Sequence, residues 1–193
     1  MKKTIDKEKG INAGLTDRPT DRPTDRPYCS EKIEKSQRIL KLAADMSKTY
    51  YGNPLIITYS GGKDSDVLLH LAESCLEKDD FEVLHSHTSV DAQETVYHIR
   101  EVFKRLNESG IKATIRYSYD ESGKRITMWN LIPEKQIPPT RLARYCCSTL
   151  KETGTPNRIA ALGVRSDEST KRQGRDVFGV RGGVIQQGYV FFA

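Results

Sequence analysis

Short apolar runs and helical stripes of apolar residues alternate along the chain from about residue 30 onward. The run Leu55-Ile56-Ile57-Thr58-Tyr59 is apolar and β-branched, which predicts a strand buried on both faces of a parallel sheet. Residues 81–88 and 159–164 predict two further strands. Residues 113–117 alternate between apolar and polar side chains, as a strand with one buried face does.

Stripes of apolar residues at helical spacing lie before and between these strands. The first stripe, which begins at Ile39, predicts a helix that starts at a Ser30 cap and ends before Gly52. The third stripe, which begins at Val96, predicts a helix that ends at Gly110. Because strands alternate with helices, the sequence predicts an α/β domain with a parallel sheet sandwiched by helices. The stripes are Ile39, Leu42, Ala43, Met46 and Tyr50; then Leu68, Leu71, Ala72 and Cys75; then Val96, Ile99, Phe103 and Leu106.

The first 30 residues are predicted to form a disordered arm. Three tandem copies of Thr-Asp-Arg-Pro occupy positions 16–19, 20–23 and 24–27, and a proline at every fourth position excludes both helix and strand. An inert tail or a misassigned start codon explains this composition, so no function is assigned to it. The predicted domain then spans residues 31–175, and residues 176–193 form an atypical, glycine-rich and apolar tail.

The 193 residues suffice for one domain with a core of its own. The net charge of +5 originates in residues 141–193, which hold nine Lys/Arg and four Asp/Glu. Such a concentration attracts nucleic acid or a small phosphorylated ligand, although a solvated surface also explains it. No apolar stretch has the length of a membrane span and no signal peptide is recognisable, so we expect a soluble, cytoplasmic protein without membrane partners.

The segment Ser60-Gly61-Gly62-Lys63-Asp64-Ser65 joins the first strand to the next helix. Two glycines let the backbone approach an anion closely, and the amides at the helix start point toward it with roughly half a positive charge. Lys63 adds a full charge and the two serines add hydroxyl donors. A Walker A loop would need a glycine at Ile57 and a Ser/Thr at Asp64. We therefore predict a phosphate-like ligand, and a tight turn with a capping side chain is the alternative.

Placed after an apolar strand, this segment resembles the PP-loop of the adenine nucleotide α-hydrolase-like proteins, which have a Rossmann-like fold. Within that group the chain resembles the phosphoadenosine phosphosulfate (PAPS) reductase family over roughly residues 32–175. The resemblance implies an adenine nucleotide as ligand, either an adenosine phosphosulfate or ATP. The supporting segments are Asp91-Ala92-Gln93-Glu94-Thr95, Arg144-Tyr145-Cys146-Cys147 with Leu150-Lys151, and Gly163-Val164-Arg165 through Glu168-Ser169 to Arg172.

Two arginines and two acids are further candidate binding residues. Arg165 lies just past a predicted buried strand and Arg172 follows seven residues later, where guanidinium groups would bind phosphate or sulfate oxygens bidentately. A surface salt bridge with nearby acids is the alternative for both. Asp91 and Glu94 stand near a helix start and fit a capping role. The family pattern implies that their loop helps to hold the adenosine.

The four cysteines do not indicate a disulfide framework. Cys146 and Cys147 resemble half of the iron–sulfur pattern of some adenylyl-sulfate reductases, in which a later Cys-x-x-Cys supplies two more thiolates. The other cysteines are Cys29 in the arm and Cys75 on an apolar helix face, so we expect no cluster bound by this chain alone. Two thiols buried as small apolar groups are the alternative for the adjacent pair.

His85 and His87 alternate along one predicted strand and share one of its faces. Two histidines at this spacing do not form a zinc site without further ligands, so the sequence assigns no metal ion except magnesium accompanying ATP. The single tryptophan, Trp129, is interpreted as a packing residue rather than a base-stacking platform.

The sequence leaves three functions open. In the family's reductase reaction a thiolate near the C-terminus attacks the sulfur of the bound phosphosulfate, and sulfite is released. No cysteine follows Cys147, and we hypothesise that the chain is truncated or frameshifted after about Asp176. The second function is ATP cleavage between the α and β phosphates, as in sulfate adenylylation or tRNA thiolation. The third is a nucleotide- or nucleic-acid-binding module without catalysis. A second copy of the chain or a thiol-redox protein is the further partner that the resemblance implies.

Overall fold

A computed structural model of the protein describes residues 27–151, 158–163, 177–180 and 187–191. The predicted arm up to residue 26 and the candidate ligands Arg165 and Arg172 lie outside the described residues. The elements are, in chain order, α1 (Pro27–Tyr51), β1 (Leu55–Thr58), α2 (Lys63–Cys75), β2 (Phe81–Ser86), α3 (Gln93–Glu108), β3 (Ala113–Arg116), β4 (Ser118–Tyr119), β5 (Arg125–Ile126), α4 (Met128–Lys135), α5 (Tyr145–Leu150), β6 (Arg158–Leu162), β7 (Phe178–Val180) and β8 (Gln187–Phe191).

β1 lies inside a six-stranded sheet with the strand order β3-β2-β1-β6-β8-β7. Five of these strands are parallel, because β1 pairs in parallel with β2 and β6, β2 pairs with β3, and β6 pairs with β8. β7 runs antiparallel to β8 at one edge. The predicted parallel α/β sheet is confirmed, and the antiparallel edge strand is an addition that the sequence did not predict.

Both faces of β1 are buried. Leu55, Ile56 and Ile57 are 0%, 2% and 0% exposed, and successive strand residues point to opposite faces. Full burial of such a side chain stabilises the fold by about 1.5–3 kcal/mol. The main core joins the sheet to three helices and contains Leu40, Ala43 and Ala44 of α1, Leu68, Leu69 and Ala72 of α2, and Ile99, Phe103 and Leu106 of α3.

α1 begins at Pro27, three residues before the predicted cap at Ser30. Proline is favourable in the first turn of a helix because the amide that it lacks has no acceptor there. The last proline of the Thr-Asp-Arg-Pro repeats therefore starts a helix, and Cys29 belongs to that helix rather than to an arm. The predicted end is confirmed at Gly52, which has a φ of +64° and donates its N–H to the Lys48 carbonyl.

The residues assigned from sequence to an atypical tail supply two strands of the sheet. β8 pairs with β6 over five residues, from Arg158 opposite Gln187 to Leu162 opposite Phe191. The run Tyr189-Val190-Phe191 is apolar and suits a strand, but the glycine-rich stretch before it concealed it. The domain boundary placed at residues 175 and 176 therefore does not coincide with the end of the sheet.

A smaller apolar cluster lies beyond the main core. Met128, Leu131 and Leu150 bury their side chains together between α4 and α5, next to the β4–β5 hairpin. Trp129 does not join them, because it is 72% exposed, so its interpretation as a packing residue was wrong. None of the described helices combines the length and the apolar character needed to cross a membrane.

Candidate functional site

The PP-loop segment, residues 60–65, connects β1 to α2 at the carboxyl edge of the sheet. Gly61 has a φ of +75°, a region that glycine enters without strain. Gly62 is the N-cap of α2, and its carbonyl accepts the first intrahelical bond from the Asp66 amide at 3.0 Å. By helix geometry the amides of the first turn point along the axis toward the loop. The segment thus presents a positive helix end at the edge where such folds bind ligands.

The Ser65 hydroxyl holds the loop in this shape. Ser65 is 4% exposed, and its Oγ donates to the Gly62 carbonyl at 2.7 Å. The same oxygen accepts from the Gly62 amide at 3.1 Å and from the Ser60 hydroxyl at 3.2 Å. A hydroxyl has one proton and two lone pairs, so Ser65 is fully engaged within the loop. Ser60 and Lys63 are exposed, but the Ser60 proton is engaged with Ser65, so the Lys63 ammonium is the side-chain donor of these two that is accessible to a ligand.

Gly61 is also fixed by its contacts with α3. A Cβ atom at this position would lie 2.9 Å from Cγ2 of Thr95 and 3.0 Å from Cγ1 of Ile99. The absence of a side chain therefore lets the loop pack directly on the first turns of α3. This contact brings the PP-loop segment next to the helix start that carries Glu94 and follows the loop residue Asp91.

Gly61→Ala is expected to lower the free energy of unfolding by roughly 1–3 kcal/mol more than Gly52→Ala, the increment typical of overpacking. Both glycines have positive φ, so both variants introduce backbone strain. Nothing lies within 4 Å of a Cβ built on Gly52, so the difference between the two variants measures the effect of steric contact at Gly61. Urea unfolding of the two variants measures the difference. Equal losses would show that α3 does not press on the loop.

The carboxyl end of β6 reaches the same place from the other side of β1. The Thr58 hydroxyl donates to the Ala161 carbonyl at 2.8 Å and ties the ends of the two strands together. A Cβ atom on Gly163 would lie 2.8 Å from the carbonyl oxygen of Asp64 and 3.3 Å from the amide nitrogen of Ser65. The chain that leads toward Arg165 thus leaves the sheet against the first turn of α2.

Asp91 lies in the loop between β2 and α3, but it does not cap α3. The N-cap of α3 is Ala92, without a side-chain capping bond. The Asp91 carboxylate instead accepts from the Thr88 amide at 3.1 Å and the Thr88 hydroxyl at 2.7 Å. Burial opposes the charge, but these bonds outweigh it and hold the pKa of Asp91 below its ordinary value. Glu94 lies in the first turn of α3 and is exposed, in accord with the helix dipole.

Two histidines of β2 stand beside this loop. His85 is 5% exposed, and His87 lies 4.0 Å from Asp91, measured from Nδ1 to Oδ2. Burial lowers the pKa of both histidines, and Lys151 near His85 and Arg125 near His87 lower it further. Both imidazoles are therefore neutral at physiological pH. The sequence placed the two on one face but did not show that Asp91 joins them.

Cys146 and Cys147 lie in the first turn of α5, away from Cys75. Cys146 packs against the Met128–Leu131–Leu150 cluster, whereas Cys75 packs against the main core. The described cysteines therefore do not fit a four-thiolate iron–sulfur cluster. Burial and the neighbouring Cys147 raise the pKa of Cys146, which disfavours its nucleophilic thiolate. The Arg144 guanidinium donates to Sγ of Cys147 at 3.5 Å.

A polar network that the sequence did not indicate lies between α2 and α3. The Tyr59 hydroxyl donates to the Asp66 carboxylate, and Nε2 of His98 lies 3.1 Å from the same hydroxyl. Burial and the carboxylate raise the pKa of Tyr59. The network lines one side of a groove of about 460 Å³. The acidic side chains of this groove, those of Asp66, Glu73 and Glu101, disfavour a phosphate ligand. Besides the three residues of the network, Leu69, His70, Glu73, Glu101, Val102 and Arg105 line this groove.

A parallel sheet with a PP-loop between its inner strand β1 and the following helix defines the class: this is a PP-loop protein with the adenine nucleotide α-hydrolase-like fold. The chain belongs to the phosphoadenosine phosphosulfate reductase domain family, whose model matches residues 54–190. The match extends past the limit near residue 175 that the sequence resemblance set, because it includes the strands β7 and β8. No curated protein matches the chain significantly.

A solved structure of similar fold is the Candida glabrata FMN adenylyltransferase in complex with ATP. The TM-score is 0.53 at 16% sequence identity, and the match covers 85% of this chain. It covers 50% of the adenylyltransferase, so the chain spans half the length of that protein. At this identity the similarity establishes the fold.

Proposed function

We propose that the protein binds an adenosine phosphosulfate, with the phosphosulfate against the PP-loop segment and the start of α2. The observation that carries this proposal is the geometry of Gly61 and Gly62, which exposes the positive end of α2 at the carboxyl edge of the sheet. Backbone amides and a helix dipole at such a place suit phosphate and sulfate oxygens. Membership of the PAPS reductase domain family supports the same class of ligand.

Side chains around the loop complete the proposed site. Lys63 is exposed and has no ion-pair partner among the described residues, so its ammonium is accessible to an anion. Arg165 and Arg172 are proposed as additional anion ligands, since Arg165 follows Gly163 by two residues in the sequence. Asp91 and Glu94 belong to the loop and helix end that contact Gly61, and we assign them to the adenosine side of the site.

The proposed chemistry is that of a reductase: a thiolate attacks the sulfur of the phosphosulfate and displaces the adenosine phosphate, and a second thiol then releases sulfite as the two thiols form a disulfide. Cys146 is a poor nucleophile because its pKa is raised. The reducing thiols would come from a thiol-redox protein or from a second copy of the chain.

ATP is the alternative ligand, with adenylylation of an acceptor and release of pyrophosphate as the chemistry. The same anion site would hold the phosphates, and magnesium would enter as part of the ATP substrate. The adenylyltransferase of similar fold was solved with ATP, which favours this alternative over other nucleotides.

Calorimetric titration of the full chain with adenosine 5′-phosphosulfate, its 3′-phosphorylated form, magnesium ATP and a short oligonucleotide tests the proposal. We expect a phosphosulfate to bind more tightly than the other ligands. The affinity for the phosphosulfate should depend less on salt concentration than the affinity for the oligonucleotide does. Sulfite release in the presence of a dithiol would identify the reductase, and pyrophosphate release would identify the adenylylating enzyme. Binding of the oligonucleotide alone would refute both nucleotide proposals.

A further inference from the structure

Two imidazoles and one carboxylate converge where β2 ends. His85 and His87 lie two residues apart on the strand, and the loop that follows returns Asp91 toward them. One ligand atom from each of the three residues lies within 4.8 Å of the other two. We propose that His85, His87 and Asp91 bind a divalent transition-metal ion of the zinc type, with a coordination position open to an anionic oxygen.

His85 is prepared for this role by its backbone contact. Its Nδ1 lies 2.9 Å from the Tyr59 carbonyl, and since a carbonyl only accepts, Nδ1 carries the proton. Nε2 therefore keeps its lone pair, and this atom is buried without a hydrogen-bond partner in the described part of the chain. A buried polar atom without a partner costs stability, and a metal ion at Nε2 would remove that cost. A carbonyl that fixes the tautomer in this way is the usual outer contact of a metal-binding histidine.

Asp91 and His87 meet the remaining requirements. The two hydrogen bonds from Thr88 orient the Asp91 carboxylate, as outer contacts orient a metal-binding acid. Two ligand atoms of one tetrahedral zinc ion lie about 3.4 Å apart, because each bond is about 2.1 Å long. The three side chains must therefore move closer together by as much as about 1.4 Å to hold the ion. Those of His87 and Asp91 are 18% and 22% exposed and have room to turn.

The ligand types select the class of ion. Imidazole nitrogens with one carboxylate suit zinc, iron, cobalt or nickel, whereas magnesium and calcium prefer oxygen ligands throughout. Three protein ligands leave the fourth tetrahedral position open. Arg125 and Lys151 place positive charge near the cluster, as does Arg100. These charges favour an anion as the fourth ligand.

Cobalt(II) titration of the chelator-treated full chain, followed by zinc competition, tests the site without any nucleotide. We expect one ion per chain with the visible absorption of tetrahedral cobalt. His87→Ala and Asp91→Asn should each weaken cobalt binding at least about tenfold, since each removes one of three ligands. His70→Ala is the matched control, because His70 is exposed and lies outside the cluster. Inorganic phosphate should strengthen binding by occupying the open position.

A Cys146→Ser/Cys147→Ser variant distinguishes cobalt bound at the proposed site from cobalt bound by the two cysteine thiols. It should retain the cobalt absorption, and loss of that absorption would overturn the proposal. Wild-type affinity in both His87→Ala and Asp91→Asn, with thermal unfolding of the variants unchanged, would overturn it as well. No effect of phosphate would refute the open position. Because the assay contains no nucleotide, the metal site and the nucleotide proposal can fail separately.

Discussion

Replacing Lys63 by alanine is expected to weaken binding of adenosine phosphosulfate by about 10- to 100-fold. A hydrogen bond to a charged group contributes about 1.5–3 kcal/mol, and each 1.4 kcal/mol is about a factor of ten in affinity. Lys63 is exposed at the first helical position of α2, so its loss should leave the fold intact. Calorimetry gives the affinity, and thermal unfolding reports on the fold.

Lys104→Ala is the control for this experiment. Lys104 is exposed on α3, and within the described part of the chain its ion-pair partner is Glu108 on the same helix at 3.9 Å. Its removal therefore changes the net charge equally without touching the loop. An equal loss of affinity in both variants would mean that net charge, rather than the loop, attracts the nucleotide. Unchanged affinity in Lys63→Ala would contradict the anion site itself.

Gly163→Ala should both destabilise the protein and impair nucleotide binding. The added Cβ would lie 2.8 Å from the Asp64 carbonyl oxygen and 3.0 Å from its carbonyl carbon. These are backbone atoms, which cannot swing aside as a flexible side chain does. We expect a loss of roughly 1–3 kcal/mol in the free energy of unfolding, as in other overpacked sites, and at least about a tenfold loss of affinity, because the start of α2 must shift.

Gly62→Ala provides the matched stability control. Its φ is −103°, and the nearest atom to an added Cβ is the Ser60 hydroxyl oxygen at 3.6 Å. An alanine fits there, so stability should change by less than about 1 kcal/mol. If chemical denaturation shows similar losses for both variants, the contact between Gly163 and α2 does not constrain the loop.

The sequence predicted best those elements whose local residue pattern alone determines the secondary structure. The uninterrupted apolar run from Leu55 predicted β1 because burial on both faces leaves no polar position in the strand. Gly52 predicted the end of α1 because its positive φ ends a helix. β8 was missed because its apolar residues are few and follow several glycines, and pairing with β6 stabilises the strand from outside the local sequence.

The candidate site likewise has some features that the local sequence predicts and others that depend on tertiary structure. The proposed anion-binding role of residues 60–65 follows from residue types that are adjacent in the chain. The role of Ser65 as a support of the loop depends on where its hydroxyl points, which no local pattern reveals. The approach of Asp91 to His85 and His87 depends on a loop that turns back through Thr88. Spacing along β2 alone shows two ligands, and the third comes from tertiary structure.

The contacts around Gly61, Ser65 and Gly163 have a consequence for how affinity arises. α3 presses on the loop from one side, the end of β6 presses on the helix start from another, and the Ser65 hydroxyl joins the two ends of the turn. A loop that is already fixed by three contacts loses little conformational entropy when a ligand binds to it. We therefore expect the binding-competent shape of the loop to be populated before a ligand binds, so that little of the intrinsic affinity is lost to rearrangement. Nucleotide binding should accordingly leave amide hydrogen exchange in the loop backbone nearly unchanged outside direct ligand contacts.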